Sequence, residues 1–465
     1  MTLALGLAER LQGVSFSDLP GEAVHAAQLS LADALCVMLA ATRLEPVVLP
    51  FHTHALAGGS GHATLLGGGK ATASLAALAN GALSHALDFE DTYDAAGLHP
   101  NAVIIPAALA LAEAEALSGP DLLLAIATGC DIACRIGDGL ASDPAVRGWY
   151  HPPIIAAAGA AFGVSRMLRL TPEQTVSAVS LALCQFSLTD ELKRSPRSDL
   201  RAVRDAFAAR AVVEACCLAR SGVRGVDAPL DGPSGLFAML TGDRASGDLL
   251  AGFGRVFRGA DVTFKHWPCC RGTHPSIALA LELRERGIAA DDIEAVSLSV
   301  SPPDDMLMLP EADRKRPASM VAAKFSIPFC FALAMRRSEV TLEGFMPEAR
   351  SDPAVLNVAA KVSLDRVIPR GASERPAARV LLVNGASYEV IVPEAPGIRA
   401  SETTFDQMAP KFADCLRHAG RERIQQPLIE QIAALGHAPD LAGLTAVLTS
   451  DPVSAPMRHG LTGID

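Results

Sequence analysis

Positive charge and aromatic side chains are both scarce in this sequence. Lys and Arg number 40 against 51 Asp and Glu, which leaves a net charge of −11 over 465 residues. This balance argues against nucleic acids and anionic membranes as partners, and an anionic ligand would need a local basic pocket. Aromatic residues make up only 5% of the chain although 50% of it is hydrophobic. The apolar part is therefore mostly Ala, Leu and Val, which is typical of closely packed helices of small residues.

Several diagnostic patterns are also missing. The N-terminus shows no basic-plus-apolar secretion signal, and apolar runs such as 105–117 are interrupted by glutamates, so we expect no membrane span. The ten cysteines lie mostly inside apolar helical patterns, as reduced cytosolic thiols do, and we expect a cytoplasmic protein without a disulfide framework. Cys269-Cys270 has no second cysteine pair nearby, which argues against a zinc or iron–sulfur site. Dinucleotide-binding and serine-hydrolase glycine motifs are absent.

Hydrophobic periodicity predicts helices up to about residue 263, including one that starts at Thr171-Pro172-Glu173 with a threonine N-cap. Beyond that point, alternating patterns predict a strand at 293–300 and a hairpin, 379–383 and 387–392, with Asn384-Gly385 as its turn. Helices return after residue 401. The predicted fold class is mainly α: a large all-helical domain, 1–263 and 401–465, with a smaller α+β lid domain, 264–400, inserted before the C-terminal helices.

The stretch 80–94 begins as an apolar, alanine-rich helix and ends in a cluster of acids. If the helix continues through the cluster, His85, Asp88 and Thr92 share one face, because they follow one another at spacings of three and four. The chain then breaks and resumes at His99. This arrangement is one way to place acid and base groups in a buried cleft. The alternative is a helix C-terminus with solvated acids and a cap for the next helix.

Two segments concentrate cations in this acidic chain. A helix predicted at 199–221 carries Arg201 and Arg204 on one face. These arginines either form ordinary surface ion pairs or make a basic wall for a polycarboxylate, since the guanidinium fork matches carboxylate geometry. A later loop brings Lys265, Cys270 and His274 together with one of the two tryptophans.

Such groups suit the removal of a proton next to a carboxylate. A carboxylate or imidazole takes the proton, fixed cations stabilise the enolate-like state, and a second acid assists loss of a hydroxyl. Each single histidine also has ordinary packing as its alternative role. We expect cationic side chains of both domains to converge on one cavity. The candidates are Asp88, Thr92, His99, His151, Arg201, Arg204, Lys265, Cys270 and His274.

These segments resemble the MmgE/PrpD family over nearly the whole chain and in the right order. The likeness rests on Asn80-Gly81 with His85 to Thr92 and His99-Pro100, on Arg147 to Pro152, on Ala208-Ala209-Arg210, on Lys265 to His274, and on Lys324-Phe325-Ser326. The family includes 2-methylcitrate dehydratase, cis-aconitate decarboxylase and iminodisuccinate epimerase. The resemblance implies a helical domain completed by the C-terminus, an α+β lid, a homodimer, and chemistry on small di- or tricarboxylates without metal or organic cofactor.

Carried over by this resemblance, the active-site positions fall on Asp88, Thr92, His99, His151 and Lys265. We assign Asp88, His99, His151 and Lys265 to catalysis, and Thr92, Tyr150, Arg201, Arg204, Cys270 and His274 to substrate binding. Arg201 and Arg204 stand where decarboxylase-like members have a lysine and a histidine, and Cys270 replaces another histidine. Glu90 stands in place of an aspartate. Arginine keeps the positive charge but does not deprotonate, which favours a carboxylate clamp over a proton donor.

The resulting hypothesis is a cofactor-independent lyase that dehydrates a 2-methylcitrate-like substrate by proton abstraction alpha to a carboxylate and loss of the beta-hydroxyl. An epimerase or decarboxylase of a related polycarboxylate, iminodisuccinate- or cis-aconitate-like, is the alternative among enzymes. Cys270 would then act as one of two bases, or only pack. The alternative of another class is a non-catalytic carboxylate-binding protein.

Overall fold

The computed structural model describes residues 1–195, 198–337, 339–369 and 372–450. These residues form two compact units. Unit 1 comprises 1–192, 198–264 and 398–450, and unit 2 comprises 193–195 together with the described part of 265–397. The last residues of the predicted helical domain, 451–465, lie outside the described part of the chain.

The first stretch of unit 1 is helical, as the sequence predicts, with four two-residue strands. Its helices are α1 (Leu3–Gln12), α2 (Gly21–Leu44), α3 (Leu49–Ala57), α4 (Ala73–Ser84), α5 (Asn101–Ala114), α6 (Gly119–Asp138), α7 (Pro152–Met167), α8 (Pro172–Leu183), α9 (Leu200–Val203), α10 (Asp205–Arg220) and α11 (Leu236–Thr241). The strands are β1 (Ala63–Thr64), β2 (Lys70–Ala71), β3 (Asp91–Thr92) and β4 (Thr263–Phe264); β1 pairs with β2 and β3 with β4, both antiparallel.

Unit 2 is a mixed α/β body. Its helices are α12 (His274–Glu285), α13 (Glu311–Lys315), α14 (Met320–Lys324), α15 (Ile327–Arg336), α16 (Pro347–Arg350) and α17 (Pro353–Ala360). Its strands are β5 (Ile293–Val300), β6 (Val362–Val367), β7 (Ala377–Leu382) and β8 (Ser387–Ile391), in the order β6-β5-β7-β8. β5 runs parallel to β6 and antiparallel to β7, and β7 pairs with β8 around a turn in which Gly385 has φ +84°. The predicted hairpin is thus confirmed. The lid role of this region stays a prediction.

The chain returns to unit 1 for its last helices. They are α18 (Phe405–Ala419), α19 (Gln425–Ala434) and α20 (Ala442–Thr449). α18 packs on α2, so the C-terminal segment belongs to the same core as the N-terminal helices.

Small residues let the helices of unit 1 approach closely. A Cβ atom at Gly159 of α7 would lie 2.4 Å from the carbonyl oxygen of Gly129 in α6, and one at Gly163 would lie 2.3 Å from that of Ala125. Only glycine fits such a backbone-to-backbone contact. The mainly α fold expected from the alanine-rich composition is therefore built by tight helix packing.

Among the described residues, α2 alone is long and apolar enough to cross a membrane by length and composition. Its most apolar window is 83% buried inside the fold, as core helices are.

One predicted helix, 199–221, is divided in two. Arg204 Nη1 donates a hydrogen bond to the carbonyl oxygen of Arg201 at 2.6 Å. A continuous helix would give that acceptor to the amide of Asp205. The side chain competes with the backbone for one carbonyl, and α9 ends where α10 begins.

Candidate active site

The acid segment that follows α4, residues 85–90, is a turn, called the acid turn below. The prediction that His85, Asp88 and Thr92 share one helix face is therefore wrong. α4 ends at Ser84, and Asp88 takes a left-handed backbone conformation with φ +51°. That conformation cannot continue a right-handed helix, and for a residue with a side chain it is found mostly at constrained positions. The next residues form β3, so the turn redirects the chain and buries Asp88 and Thr92.

Glu90 lies between two imidazoles. Its Oε1 is 2.5 Å from His85 Nδ1 and 3.1 Å from His99 Nδ1, and the two rings are 5.2 Å apart between centroids. Glu90 and His85 are buried, whereas His99 keeps 14% of its side-chain surface exposed. His99 is therefore the member of this group that a solute can reach.

The backbone sets the tautomer of His99. Its Nδ1 lies 2.9 Å from the carbonyl oxygen of Asp91, which can only accept a hydrogen bond. Nδ1 must then carry the proton, and in the neutral ring the lone pair is on Nε2. Thr92 Oγ1 also lies near this nitrogen, at 3.4 Å. His99 is thus prepared to accept a proton through Nε2.

Arginines and acids lie together behind this segment. Arg201 and Arg204 are buried, and Arg204 stacks on the Tyr150 ring with its guanidinium carbon 4.9 Å from the centroid. Arg204 Nε is 3.7 Å from Asp205 Oδ2. Burial raises the pKa of Tyr150, while the two arginines act against that shift. Both arginines are therefore buried, which contradicts the surface-helix alternative, and their role as a carboxylate clamp stays a prediction.

Arg204 interacts electrostatically with the acid turn. Burial opposes the charged form of Arg204, but Tyr150, Asp205, Glu90 and Asp88 raise its pKa. Burial likewise raises the pKa of Asp205, with Arg204 and His85 acting in the opposite direction. The turn, Arg204 and Asp205 therefore form one charged cluster within unit 1.

His151 lies at the start of α7, next to Tyr150. Its Nε2 is 3.2 Å from the carbonyl oxygen of Ala96, and its side chain is partly exposed. Because a carbonyl only accepts, Nε2 carries the proton and the lone pair of the neutral ring lies on Nδ1. The two candidate histidines thus present opposite nitrogens.

A lysine from α18 holds the acid turn in place. Lys411 Nζ donates to the carbonyl oxygen of Phe89 at 2.6 Å, lies 2.6 Å from Asp33 Oδ1 on α2, and sits 4.1 Å from the centroid of the Phe89 ring. The peptide between Asp88 and Glu90 is therefore fixed by a buried ion pair and a cation–π contact.

Asp91 is a buried carboxyl that faces other acids. Burial raises its pKa to about 7, helped by Asp33 and Glu90 and opposed by the hydrogen bond from Asn101 and the charge of Lys411. The folded protein therefore binds this proton more tightly than the unfolded chain. The associated stability is complete below the ordinary pKa of 3.8 and is lost as the pH rises through 7.

The Asp91→Asn variant should lack this pH dependence. Between pH 5 and pH 8, the unfolding free energy of the wild type should fall by about 2.5 kcal/mol relative to the variant. Urea denaturation at both pH values measures the difference. An exposed aspartate, Asp313, replaced by asparagine, serves as control and should follow the wild-type curve. Parallel curves for wild type and Asp91→Asn would contradict the raised pKa.

The remaining candidates belong to unit 2. Lys265 and His274 are buried, and Cys270 is partly exposed. The amide of Cys270 donates to the carbonyl of Lys324 at 3.0 Å, which fixes the loop against α14. His274 packs edge-on against Trp267 with ring centroids 5.1 Å apart. The action of these side chains on the same substrate as those of unit 1 stays a prediction.

His85, Glu90 and His99 also have the composition of a metal-ligand set, and their ligand atoms lie within 4.8 Å of one another. The 2.5 Å between Glu90 Oε1 and His85 Nδ1 is, however, a hydrogen-bond distance, shorter than the spacing of two ligands on one ion. His99 Nδ1 directs its proton to a carbonyl. These three side chains therefore fit one another better than they fit a metal.

Comparison with known proteins agrees with the resemblance seen in the sequence. The family model of the MmgE/PrpD N-terminal domain matches residues 6–247, and that of the C-terminal domain matches 267–435. The chain belongs to the MmgE/PrpD family. Within it, the chain is 27% identical over 314 residues to a cis-aconitate decarboxylase-like protein, oryM, of Aspergillus oryzae. It is 26% identical over 304 residues to the cis-aconitate decarboxylase of Mus musculus and 25% over 302 residues to that of Homo sapiens.

Each match covers 62% of this chain and 64%, 60% and 61% of the respective relative. The chain thus spans about three fifths of the length of these relatives. Their names describe lyases of a small carboxylate, so the MmgE/PrpD family includes enzymes of that type.

Sequence reasoning missed four contributors to the site: His85 and Glu90 as a pair, Asp205, and Lys411. His85 and Glu90 were within the resemblance, and the replacement of an aspartate by Glu90 was the available signal. No sequence signal pointed to Lys411, because its partners Asp33 and Phe89 are more than three hundred residues away in the sequence.

Proposed function

We propose that this chain is a lyase that acts on a small di- or tricarboxylate, removing a proton alpha to a carboxylate and expelling a beta-hydroxyl, as in dehydration of a 2-methylcitrate-like substrate. The observation that supports it most is the cluster in unit 1, where Arg204, buried beside Arg201, interacts electrostatically with Asp88 and Glu90 of the acid turn that contacts His99. A carbon acid becomes easier to ionise when cations hold the carboxylate that receives the negative charge.

In this mechanism His99 is the base. Nε2 takes the proton from the carbon, and the imidazolium that forms keeps its Nδ1–H on the carbonyl of Asp91. Arg201 and Arg204 hold a substrate carboxylate. They remain charged throughout, because arginine does not deprotonate. His151, Tyr150 and Asp88 are the groups proposed to assist loss of the hydroxyl, with Thr92 beside the base.

Decarboxylation of a cis-aconitate-like substrate is the second candidate, and the names of the relatives favour it. The arginines at positions 201 and 204 weigh against it, since the resemblance puts a lysine and a histidine there in decarboxylase-like members. An epimerase remains the further alternative, and a non-catalytic carboxylate-binding protein is the alternative of another class.

A substrate panel tests these proposals. We expect chelator-treated protein to convert a hydroxy-tricarboxylate with the appearance of an unsaturated product, measured as new ultraviolet absorbance. Carbon dioxide release would indicate decarboxylation, and solvent deuterium entering an unchanged skeleton would indicate epimerisation. A ligand that binds without dehydration, decarboxylation or epimerisation would support the alternative of a non-catalytic carboxylate-binding protein. Activity that returned only on adding a metal ion would overturn the mechanism.

From the family resemblance we further propose that the protein works as a homodimer in the cytoplasm, with the small carboxylate as its ligand and without metal, organic cofactor, nucleic acid or membrane.

A further inference from the structure

Glu90 is the buried carboxylate in contact with the proposed base. It is 2% exposed, and its Oε1 meets the Nδ1 atoms of both His85 and His99. A carboxylate buried this deeply is stable only where donors or positive charge surround it. Here both imidazoles reach the same oxygen.

The charge of Glu90 extends to its neighbours. It contributes to the raised pKa values of Asp91, Arg204 and Asp205. Among the described residues, the charged and titratable groups that interact with Glu90 or with these neighbours include Asp33, His85, Asp88, Asp91, Tyr150, Arg204, Asp205 and Lys411. Arg204 and Lys411 are the cations among them, and both are fixed by other contacts, Arg204 on Tyr150 and Lys411 on Asp33. His85 and His99 are the two groups whose ring nitrogens contact Glu90 Oε1 directly, at 2.5 and 3.1 Å.

We propose that Glu90 is a positioning residue that, together with the main-chain carbonyl of Asp91, accepts a hydrogen bond from the Nδ1–H of His99 and makes Nε2 a stronger base, while His85 anchors the same carboxylate from the other side. The proposal deepens the proposed function, because it rests on His99 as the base of that reaction. Neither histidine–glutamate contact follows from the family match.

The chemistry follows from charge. When Nε2 takes a proton from the substrate carbon, the ring becomes an imidazolium whose Nδ1–H is 3.1 Å from a carboxylate oxygen. The negative charge stabilises this cation more than the neutral ring, so Nε2 binds the proton more tightly. The short contact with His85, at 2.5 Å, keeps the carboxylate from turning away.

Nitrogen-15 NMR of histidine-labelled full-length protein tests the proposal without any substrate. Signals are assigned with His99→Gln and His85→Gln. We expect the neutral His99 ring to be the Nδ1–H tautomer. In Glu90→Gln, the affinity of His99 for its proton should fall about tenfold, a decrease of about one unit in its pKa. Glu90→Asp keeps the charge and should recover part of the decrease. Glu115→Gln, which removes an exposed carboxylate bound to Arg220, should leave His99 unchanged.

Two results would overturn the proposal: an Nε2–H tautomer in the wild type, or a His99 titration that Glu90→Gln leaves unaltered. If Glu90→Gln fails to fold by circular dichroism, the His99 titration in Glu90→Asp decides. A carboxylate withdrawn by one methylene should lower the affinity of His99 for its proton, and an unaltered titration in that variant would also overturn the proposal. Where the panel yields a substrate, the acid limb of the kcat/KM profile should move to lower pH in Glu90→Gln by the same amount as the NMR titration. If no substrate of the panel is turned over, the proposed function is wrong. The NMR experiment uses no substrate, so it would still show whether Glu90 sets the proton affinity of His99.

Discussion

Replacing His99 by alanine should lower kcat by about a hundredfold to ten-thousandfold, the usual contribution of a general base. Binding of the substrate should change little, because the proposed carboxylate clamp, Arg201 and Arg204, is untouched. Steady-state kinetics and the thermal shift caused by the ligand measure the two effects separately. If the protein only binds carboxylates, the wild type would show no turnover and His99→Ala would change only the affinity for the ligand.

His54→Ala is the matched control. His54 is an exposed histidine of the same unit, on α3, so its loss should leave kcat unchanged. A His99→Ala enzyme with kcat within a few-fold of the wild type would remove His99 from the role of base. Such a result would make His151, the other histidine assigned to catalysis, the next candidate for the base.

Replacing Arg135 by methionine should destabilise unit 1 by about 4 kcal/mol, the effect of breaking one side of a buried ion pair. Arg135 is fully buried on α6, where its Nε donates to Asp131 at 2.7 Å. Its other nitrogens donate to the carbonyls of Leu249, Ala251 and Val256 at 2.7 to 3.0 Å. Removal leaves one charge and three carbonyls without this donor. Chemical denaturation monitored by circular dichroism measures the loss.

Arg220→Met is the comparison for that result. Arg220 also makes a two-pronged ion pair, with Glu115, but its side chain is 40% exposed. An exposed pair contributes less than about 1 kcal/mol, so this variant should stay close to the wild type. If the two substitutions lowered the unfolding free energy equally, burial would not be the reason that the Arg135 contacts stabilise unit 1.

Local signals in the sequence predicted much of the fold. β5 occupies 293–300 as the alternation indicates, and α8 begins with Thr171 accepting a hydrogen bond from the Gln174 amide and Pro172 at its first position. β6 escaped prediction because its second half is exposed and its partner β5 lies far earlier in the chain. Pairing between distant strands has no local sequence signal.

In the candidate site, too, the residue types could be predicted from the sequence, whereas their contacts could not. Residue types pointed to the acid turn and to the buried arginines. The geometry did not follow, because apolar spacing predicted that a helix would continue, whereas the left-handed Asp88 ends it. Nor could spacing reveal that Glu90 joins two histidines, since a contact across a turn depends on the backbone path and not on periodicity.

Lys411 has a consequence for how the protein is made. A ribosome completes Asp33 and Phe89 long before it reaches α18, and domains generally begin to fold from the N-terminus during synthesis. Until α18 emerges from the ribosome, the carbonyl of Phe89 lacks the hydrogen bond from Lys411. Asp33 likewise lacks its ion pair with Lys411. The acid turn therefore reaches the shape described here only after α18 has been synthesised, and a chain truncated before α18 would carry the residues of the turn without the cation that holds them.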